Sequence, residues 1–554
     1  MRGADCGTTT LEYAYNATTG LLSSLNATVQ NSSIPVTYTY QGANQLRSKA
    51  IGSVMTKAYN FRSDSGYATA LPDYVNYRDS SGNLIYGDNC HYDSNGRLVK
   101  ILDSGSSTTT RATYGYDQQG QLTSATDGGT RYEYSYDTAG NIQSKKVGST
   151  TTNYYTYGNS AWRDLLTAYG GNTITYSGGN PTKYYDGSTF TWTQGRRLAT
   201  AKVGGTNISY TYDMAGVRSS KTVGSTTYDF TTLSGLVTRQ TGGGKTIDFV
   251  YDENNQPLAM KYNNTLYYYV LNAQGDVIAL ADQNGNLIAK YSYDPWGKLL
   301  SVTPNGWLDE QNAYYLEVAE ANPLRYRGYY YDSETGFYYL QSRYYDPEIG
   351  RFINADSYAS TDATGLLSTN MFAYCENDPV NGSDPNGEWI HIAIGSAMGA
   401  VTSIITGYAS AKQAGKDYSL FMAVTDGLSG AASGALAASG VGMVGQIIGN
   451  AAIEVTKGIV NGQSSANEII ENAISGGANG LIGGKGASHG NANSITKSGK
   501  QMLKRIFKYK DPVKKAYAHY KKTAHCKGGK FVLSELSKSF AKTTAFSLFK
   551  GSTR

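Results

Sequence analysis

Side chains suited to covalent or metal chemistry are few in this 554-residue chain, and their spacing does not assemble a common site. The cysteines include no C-x-x-C pair, so neither a disulfide framework nor a zinc site is predicted. In the C-terminal segment His519, His525 and Cys526 are the candidates, but no pair of carboxylates accompanies them. We therefore predict no metal site and no cofactor. The four cysteines are Cys6, Cys90, Cys375 and Cys526.

The most distinctive run of polar and aromatic residues begins at Asn322. It reads NPLRYRGYYYDSETGFYYLQSRYYDPEIGRFINADS, and FAYCENDPVNGSDPNGEW follows after an interval, ending at Trp389. This text closely resembles the RHS repeat-associated core domain. The pattern of that domain is R-Y-x-G-Y-Y-D-x-E-T-G-x-Y-Y-L-x-x-R-Y-Y-D-P-x-x-G-R-F, followed by Y-x-x-x-x-N-P-V-N-x-x-D-P-x-G. The resemblance assigns residues 321–387 to such a core.

In several members of that family the core cuts its own chain just beyond the D-P-x-G end, as an intramolecular aspartic protease. Matched residue by residue, the resemblance implies Arg343, Asp356 and Asp384 as the catalytic set. Two close carboxylates cannot both ionise cheaply, so one would stay protonated as an acid while the other activates water. A neighbouring guanidinium would favour the ionised partner. The predicted cleavage region is Gly387, Glu388 and Trp389.

A purely structural interpretation of these residues stays open. Arg343 with Asp356 is also a plausible ion pair, and DPNG is strong turn chemistry that explains Asp384 without catalysis. The chain also departs from the family pattern: Asp378 stands where the family usually has Asn, Ser357 where it often has Pro, and Glu388 where it often has an apolar residue. The interval between Asp356 and Asp384 is longer than expected, with TDATGLLSTN as the insertion.

Upstream of this segment a shorter pattern repeats, Y-x-Y-D-x-x-G-x-L/I/V. Clear copies are YGYDQQGQLTSA from Tyr114 and YSYDTAGNIQS from Tyr134, and others run from Tyr13 to Tyr291. Alternation points both rings to one face of a strand, Asp caps a turn, and Gly takes a positive φ. Each copy is therefore predicted to be one β-hairpin. Since a lone hairpin is not stable, the copies must join into a continuous sheet.

These units resemble the YD repeats of RHS proteins and teneurins, in which a β-sheet spirals into a hollow shell. The resemblance assigns residues 1–320 to such a shell, and the predicted fold class is mainly β with a mainly α C-terminal domain. The shell would be only part of a full cocoon, and a repeat is already running at Tyr13. We therefore expect the chain to be the C-terminal piece of a longer protein. Its start has no apolar core of signal-peptide length.

After Gly387 the composition changes: only five of the 49 tyrosines lie beyond it. Residues 388–475 are predicted to form an Ala/Gly-rich helical hairpin region, and 476–494 a flexible linker. The stretch 390–453 contains two long uncharged runs, so a membrane contact and a soluble hairpin packed on itself both remain open.

Residues 495–554 are predicted to be a basic helical module. From Asn491 onwards there are 16 Lys and Arg against two acids. Such a charge is compatible with nucleic acid, with an anionic surface, or with a solvated tail held near an acidic scaffold. No enzyme is recognisable in this module.

From the resemblance we expect a secreted or cell-surface bacterial protein that encapsulates and releases a variable C-terminal effector, an interbacterial toxin. A separate immunity protein would be its partner. The alternative is a non-enzymatic surface protein whose YD repeats bind carbohydrate or another partner. A nuclease that uses the basic tail is a third interpretation. The first predicts a cut near Gly387, and the second predicts an intact chain.

Overall fold

The structure is a computed structural model that describes residues 9–41, 45–64, 67–103, 109–149, 151–306, 309–356, 370–387 and 391–392. The chain divides into two compact units, Met1–Ile394 and Gly395–Arg554, and every described residue belongs to the first. The predicted helical hairpin, the linker and the basic module therefore lie outside the described residues. Within the described part of the chain, no helix is long and apolar enough to cross a membrane.

The first large sheet has fifteen strands, each paired antiparallel to its neighbour in chain order. This is the meander that consecutive hairpins predict. Its strands are β1 (Thr9–Tyr15), β2 (Leu22–Val29), β3 (Ser32–Gln41), β4 (Gln45–Ile51), β5 (Met55–Asp64), β6 (Tyr67–Asp79), β7 (Leu84–Tyr92), β8 (Leu98–Asp103), β9 (Thr110–Tyr116), β10 (Leu122–Asp127), β11 (Thr130–Tyr136), β12 (Ile142–Val147), β13 (Thr151–Thr156), β14 (Ala168–Tyr169) and β15 (Asn172–Thr173).

The second large sheet has fourteen strands and the same meander topology. Its strands are β16 (Thr175–Ser177), β17 (Asn180–Lys183), β18 (Thr189–Thr193), β19 (Arg197–Val203), β20 (Thr206–Tyr212), β21 (Arg218–Val223), β22 (Thr226–Leu233), β23 (Leu236–Gly242), β24 (Lys245–Tyr251), β25 (Pro257–Tyr262), β26 (Thr265–Leu271), β27 (Val277–Ala281), β28 (Leu287–Tyr293) and β29 (Leu299–Pro304).

The chain then changes architecture. Helix α1 (Glu310–Ala321) begins at the N-cap Asp309, whose carboxylate accepts the Asn312 amide hydrogen at 2.7 Å. A four-stranded antiparallel sheet and a short two-stranded one follow. Their strands are β30 (Tyr330–Asp332), β31 (Phe337–Leu340), β32 (Arg343–Asp346), β33 (Arg351–Phe352), β34 (Gly382–Ser383) and β35 (His391–Ile392).

The described protein is thus mainly β, built from large antiparallel sheets, and this part of the predicted fold class is confirmed. The hairpin turns also form as the repeat pattern predicts. In the turn after β9, the Asp117 carboxylate accepts the amide hydrogens of Gln119 and Gln121 at 2.9 Å. Gly120 then adopts a φ of 91°, a region that Gly enters without steric cost.

The second tyrosine of the repeat has a role that the pattern alone did not reveal. Its hydroxyl donates to a backbone carbonyl of the preceding hairpin, at oxygen–oxygen distances between 2.5 and 2.9 Å. Each acceptor lies where the pairing register of its hairpin shifts. The pairs are Tyr40–Leu22, Tyr92–Pro72, Tyr116–Leu98, Tyr136–Leu122, Tyr157–Ile142, Tyr212–Leu198, Tyr251–Val237 and Tyr293–Val277.

These shifts are β-bulges, which disrupt the ladder locally and leave a backbone group without its usual partner. The tyrosine hydroxyl supplies that partner, so each repeat is joined to the one before it. Burial raises the pKa of Tyr157 to about 12 and that of Tyr136 well above its usual value. Both phenols therefore keep the proton that they donate.

The two large sheets meet through apolar residues of β2–β7 and β24–β27, and a buried charge cluster lies in this contact. The Lys49 ammonium is 2.6 Å from the Asp252 carboxylate and 2.8 Å from that of Glu253. The Tyr38 hydroxyl donates to Glu253 at 2.5 Å. Burial raises the pKa of Glu253, and the ammonium of Lys49 opposes that rise. One cation thus balances two carboxylates that sequence separates from it by about 200 residues.

We expect Lys49→Met to destabilise the described unit by roughly 3–5 kcal/mol, because two buried carboxylates would lose their cation. Thermal unfolding of the purified chain would measure this as a lower apparent unfolding temperature. Lys146→Met is the matched control: Lys146 pairs with Glu133 on an exposed face, so its loss should cost less than about 1 kcal/mol. Equal effects of the two substitutions would contradict the importance of the buried cluster.

Candidate functional site

The four-stranded sheet β30–β33 and the loops after it contact both large sheets. Asp332 accepts from the Arg218 guanidinium at 2.5 Å and from the Lys221 ammonium at 3.0 Å, both on β21. In the other direction, the Asn377 amide donates to the Gln121 side chain at 2.9 Å. The described residues between β30 and Gly387 are therefore held against strands that are far away in the sequence, which gives their side chains defined positions.

Arg343, at the start of β32, is the centre of the candidate site. It is buried, and its guanidinium carbon lies 3.5 Å from the centroid of the Phe352 ring. Its Nη1 donates to the Met371 carbonyl at 3.1 Å, and its Nε donates to the carbonyl of Gly387. These contacts hold the guanidinium in one orientation, so its remaining nitrogen, Nη2, faces a defined direction.

Both predicted aspartates reach that nitrogen. Nη2 of Arg343 is 3.0 Å from Oδ2 of Asp356 and 3.4 Å from Oδ2 of Asp384. Asp384 is almost fully buried, while the side chain of Asp356 is 11% exposed. The structure therefore brings together all three residues that the motif singled out, although 28 positions separate the two aspartates in the sequence.

Backbone contacts position the two carboxylates. The Asp356 amide donates to the Met371 carbonyl at 3.0 Å, which joins the two ends of the segment that contains the predicted insertion. The Asp384 amide donates to the Tyr329 hydroxyl at 2.6 Å. Of the insertion TDATGLLSTN, only its last residue, Asn370, is among the described residues.

The DPNG turn brings the predicted cleavage region to the same place. Gly387 has a φ of 72°, and its carbonyl faces Arg343 Nε and the Ser342 hydroxyl, whose oxygen is 2.9 Å away. The peptide that leaves Gly387 therefore starts beside the arginine that contacts both aspartates. Of the predicted cleavage region only Gly387 is described; Glu388 and Trp389 lie outside the described residues.

Three neighbours of the site were not found from the sequence. Arg196, in the turn between β18 and β19, places Nη1 3.4 Å from Oδ1 of Asp356. Ser342 contacts the Gly387 carbonyl, and Tyr329 contacts the Asp384 amide. The motif gave no signal for Arg196, because it belongs to the large sheet 160 residues away. Ser342 falls in the x-x gap that precedes the motif arginine.

Cys375 lies close to the site, but its thiol is poorly suited to act as a nucleophile. Burial raises the pKa of its thiol well above the usual value, and the nearby Asp384 carboxyl adds to this rise when it is ionised. The pKa of Tyr329 is also raised, chiefly by burial and then by its neighbours Cys375 and Asp384. A thiol that keeps its proton is a poor nucleophile, so the groups suited to chemistry here are the two carboxylates. His519, His525 and Cys526 lie outside the described residues.

Two other buried carboxyl groups of this segment have raised pKa values. Burial raises the pKa of Asp346 to about 7; its carboxyl accepts from the hydroxyls of Tyr184 and Tyr185 and from the Glu348 amide. Asp378, the departure from the family pattern, has its pKa raised to about 6 by burial, against hydrogen bonds from Asn381. Neither carboxyl has a salt bridge to a cation among the described residues.

Comparison with known proteins agrees with this architecture. Residues 80–380 match the family model described as the teneurin YD-shell. The tRNA3(Ser)-specific nuclease WapA of Bacillus spizizenii is 36% identical over 244 residues, which cover 42% of this chain and 10% of that protein. The toxin protein Tse5 of Pseudomonas aeruginosa is 33% identical over 131 residues, 24% of this chain and 8% of that protein. The chain thus spans about a tenth of the length of these relatives.

Among solved structures, the crystal structure of TcdB2-TccC3-TEV aligns with 68% of this chain. The aligned part is 20% of the TcdB2-TccC3-TEV chain, with a TM-score of 0.54 and 20% identity. The Tc holotoxin pore of Photorhabdus luminescens covers 69% of this chain and 20% of its own, with a TM-score of 0.53 and 18% identity. At such low identity the likeness concerns the fold alone.

The pKa of Asp346 predicts a pH dependence of stability. Its value in the folded state, about 7, lies above the ordinary 3.8, so its contribution is fully present below about pH 4 and is lost as pH rises through about 7. Asp346→Asn keeps the hydrogen bonds of the two tyrosines and removes the charge. We expect the apparent unfolding temperature of the unchanged chain to fall relative to this variant between pH 5 and pH 8.

The charged neighbours of Asp346 do not remove the expected difference in unfolding temperature between the unchanged chain and Asp346→Asn. Glu348 contacts the Lys298 ammonium at 2.5 Å, and its pKa is lowered mainly by Lys145 and Lys298 against the effect of burial. It therefore stays ionised over the whole range in both proteins. Parallel unfolding curves for Asp346→Asn and the unchanged chain from pH 5 to pH 8 would contradict the raised pKa.

Proposed function

This chain belongs to the teneurin YD-shell family and is an RHS/YD-repeat protein, and on that premise we propose that it delivers a toxin: its repeats enclose a C-terminal effector, which the core segment 321–387 releases by cutting the chain just after itself. The proposal includes the division into domains that the sequence predicts. In it the repeats, the core, the region 388–475, the linker 476–494 and the basic module 495–554 follow one another.

The observation that carries the proposal is the common site of Arg343, Asp356, Asp384 and the Gly387 carbonyl. Asp384 and Gly387 lie in the last turn of the core, directly before the composition of the chain changes. A site that contains its own substrate peptide needs no external substrate, and positioning contributes much of the rate. This arrangement suits a single cut that separates two parts of one chain.

The step is hydrolysis. A water molecule would attack a backbone carbonyl carbon of the cleavage region and give one proton to the ionised carboxylate. The carbon–nitrogen bond then breaks, and the departing nitrogen takes a proton from the second, protonated carboxyl. The products are a new carboxyl terminus and a new amino terminus. The guanidiniums of Arg343 and Arg196 lie 3.0 and 3.4 Å from Asp356 and favour its ionised form, so we assign Asp356 as the base and the other carboxyl of the pair, Asp384, as the acid.

Two relatives support the toxin part of the proposal, since one is a tRNA-specific nuclease and the other a toxin. The chain spans little of either relative, so their activities do not identify the target of residues 495–554. We propose nucleic acid or an anionic surface as that target. The proposal includes a secreted or cell-surface location and a separate immunity protein as a partner. Membrane contact through 390–453 would assist delivery.

We expect Asp384→Asn, Asp356→Asn and Arg343→Lys to slow self-cleavage at least about 100-fold, because each removes a proton-transfer group or the fork that orients it. Intact-mass measurement of the purified full chain should give a C-terminal fragment that begins within Gly387–Trp389, absent from the three variants. Asp282→Asn is the matched control: this aspartate only caps a hairpin turn, and Asn keeps the cap.

An intact mass of the full length in every sample would contradict self-cleavage. It would return Arg343, Asp356 and Asp384 to ion-pair and turn roles. It would also favour the alternative of a surface protein whose repeats bind carbohydrate or another partner.

The effector part has its own test. We expect induced expression of residues 388–554 in a bacterial host to stop growth, since the freed tail would meet its target inside the cell. The control is the full chain with Asp384→Asn, in which the tail stays attached to the shell. Culture density after induction gives the result, and equal growth of the two strains would contradict a toxic tail.

A further inference from the structure

The carbonyl of Gly387 is held by two adjacent residues at the turn between β31 and β32. Leu340 pairs with Arg343 across this turn, and Gln341 between them adopts a φ of 58°. The Ser342 hydroxyl oxygen lies 2.9 Å from the Gly387 carbonyl oxygen, and Arg343 Nε donates to the same oxygen. We call Ser342, Arg343 and this carbonyl the Gly387 clamp.

The Ser342 hydroxyl has a choice of two acceptors. Its oxygen is also 2.8 Å from the carbonyl oxygen of Asn386. The Ser342 amide donates to the Leu340 carbonyl at 2.6 Å and also lies 3.2 Å from the Asn386 carbonyl oxygen. A hydroxyl has only one hydrogen to donate, so Ser342 shares it between two adjacent carbonyls and holds the Asn386–Gly387 turn next to Arg343.

From this geometry we propose that Ser342 is a positioning residue for self-cleavage: with Arg343 it clamps the Gly387 carbonyl and so fixes which peptide bond lies before the two aspartates. The inference rests on the proposed self-cleavage and adds to it a residue that the family motif leaves open. The motif requires Arg343 but accepts any residue at position 342.

The clamp also explains why position 387 is glycine. A Cβ placed there would lie 2.7 Å from the Leu340 carbonyl oxygen, 2.7 Å from the Ser342 hydroxyl and 3.1 Å from the Arg343 amide nitrogen. Two of these three atoms belong to the backbone and cannot rotate away. The φ of 72° is a further obstacle for any other residue. The clamp thus accepts glycine and excludes every residue with a side chain.

The role of Arg343 in the clamp differs from its role toward the aspartates. Nε contacts the peptide to be cut, whereas Nη2 contacts Asp356 and Asp384. One rigid guanidinium therefore sets the distance between the peptide and the acids. Ser342 adds a second point of contact on the same carbonyl, which stops the peptide from turning about the bond to Arg343.

The test follows the cleavage of the full chain during cell-free synthesis, so that slow variants are sampled before they are fully cut. We expect Ser342→Ala to cleave roughly five- to tenfold more slowly, the effect of one lost hydrogen bond. Ser342→Thr keeps the hydroxyl and should restore most of the rate. We expect Gly387→Ala to cleave at least about 100-fold more slowly, because the peptide is displaced from the acids.

Two controls separate positioning from a general loss of structure. Ser301→Ala removes a hydroxyl that bonds Ser292 on an exposed strand face and should cleave at the normal rate. In the uncut Asp384→Asn background, Ser342→Ala and Ser342→Thr should have the same apparent unfolding temperature. The mass of the released fragment should show a single amino terminus in the unchanged chain.

The outcomes are distinct. If the unchanged chain cleaves, Asp384→Asn does not, and Ser342→Ala cleaves at the normal rate, the clamp is wrong while self-cleavage stands. A slow Ser342→Ala that Ser342→Thr does not rescue also overturns it, because the hydroxyl is then not the cause. If the unchanged chain stays intact, self-cleavage itself fails and the clamp fails with it.

Discussion

The described structure depends on one repeated hydrogen bond, from a tyrosine hydroxyl to the carbonyl beside the bulge of the preceding hairpin. Tyr116 reaches Leu98, Tyr136 reaches Leu122, and the same bond recurs through both large sheets. Each ring buries apolar surface while its polar end supplies a donor. Antiparallel pairing alone would leave those carbonyls unsatisfied inside the protein, at a cost of about 1–3 kcal/mol each. Hence the bulge, the turn and the second tyrosine of each repeat form one unit.

Ion pairs between residues that are far apart in the sequence then hold the sheets in place. Lys49 neutralises carboxylates of β24–β25, and Arg218 pairs with Asp332 of the small sheet with both side chains fully buried. Buried pairs of this kind contribute little net stability but are costly to break, so they discriminate against wrong packing. The small sheet β30–β33 is positioned by such pairs and by tyrosine contacts, and it presents Arg343 to the last turn of the core.

Local chemistry was predictable from the sequence, and distant pairing was not. The turn at Asp117 and Gly120 follows from two residue types three positions apart, and the hairpins of both sheets follow from the same pattern. The motif also located Arg343, Asp356 and Asp384, which the structure brings together. In contrast, Arg196 and Lys49 meet partners 160 to 204 positions away, and single-sequence patterns do not encode such distances. Ser342 was missed because its role lies in one hydroxyl at a position the motif leaves free.

The position of Arg196 has a consequence for timing. Asp356 lies between a guanidinium of the large sheet and one of the small sheet, while Asp384 and Gly387 reach the same place only through the last described turn of the core. A ribosome makes Arg196 well before Arg343 and reaches Gly387 last of all. The complete site therefore cannot form before the chain has been made as far as Gly387, and it requires both Arg196 of the large sheet and the last described turn of the core to be in place. The order of synthesis thus delays the complete site until all the strands that contribute to it have been made.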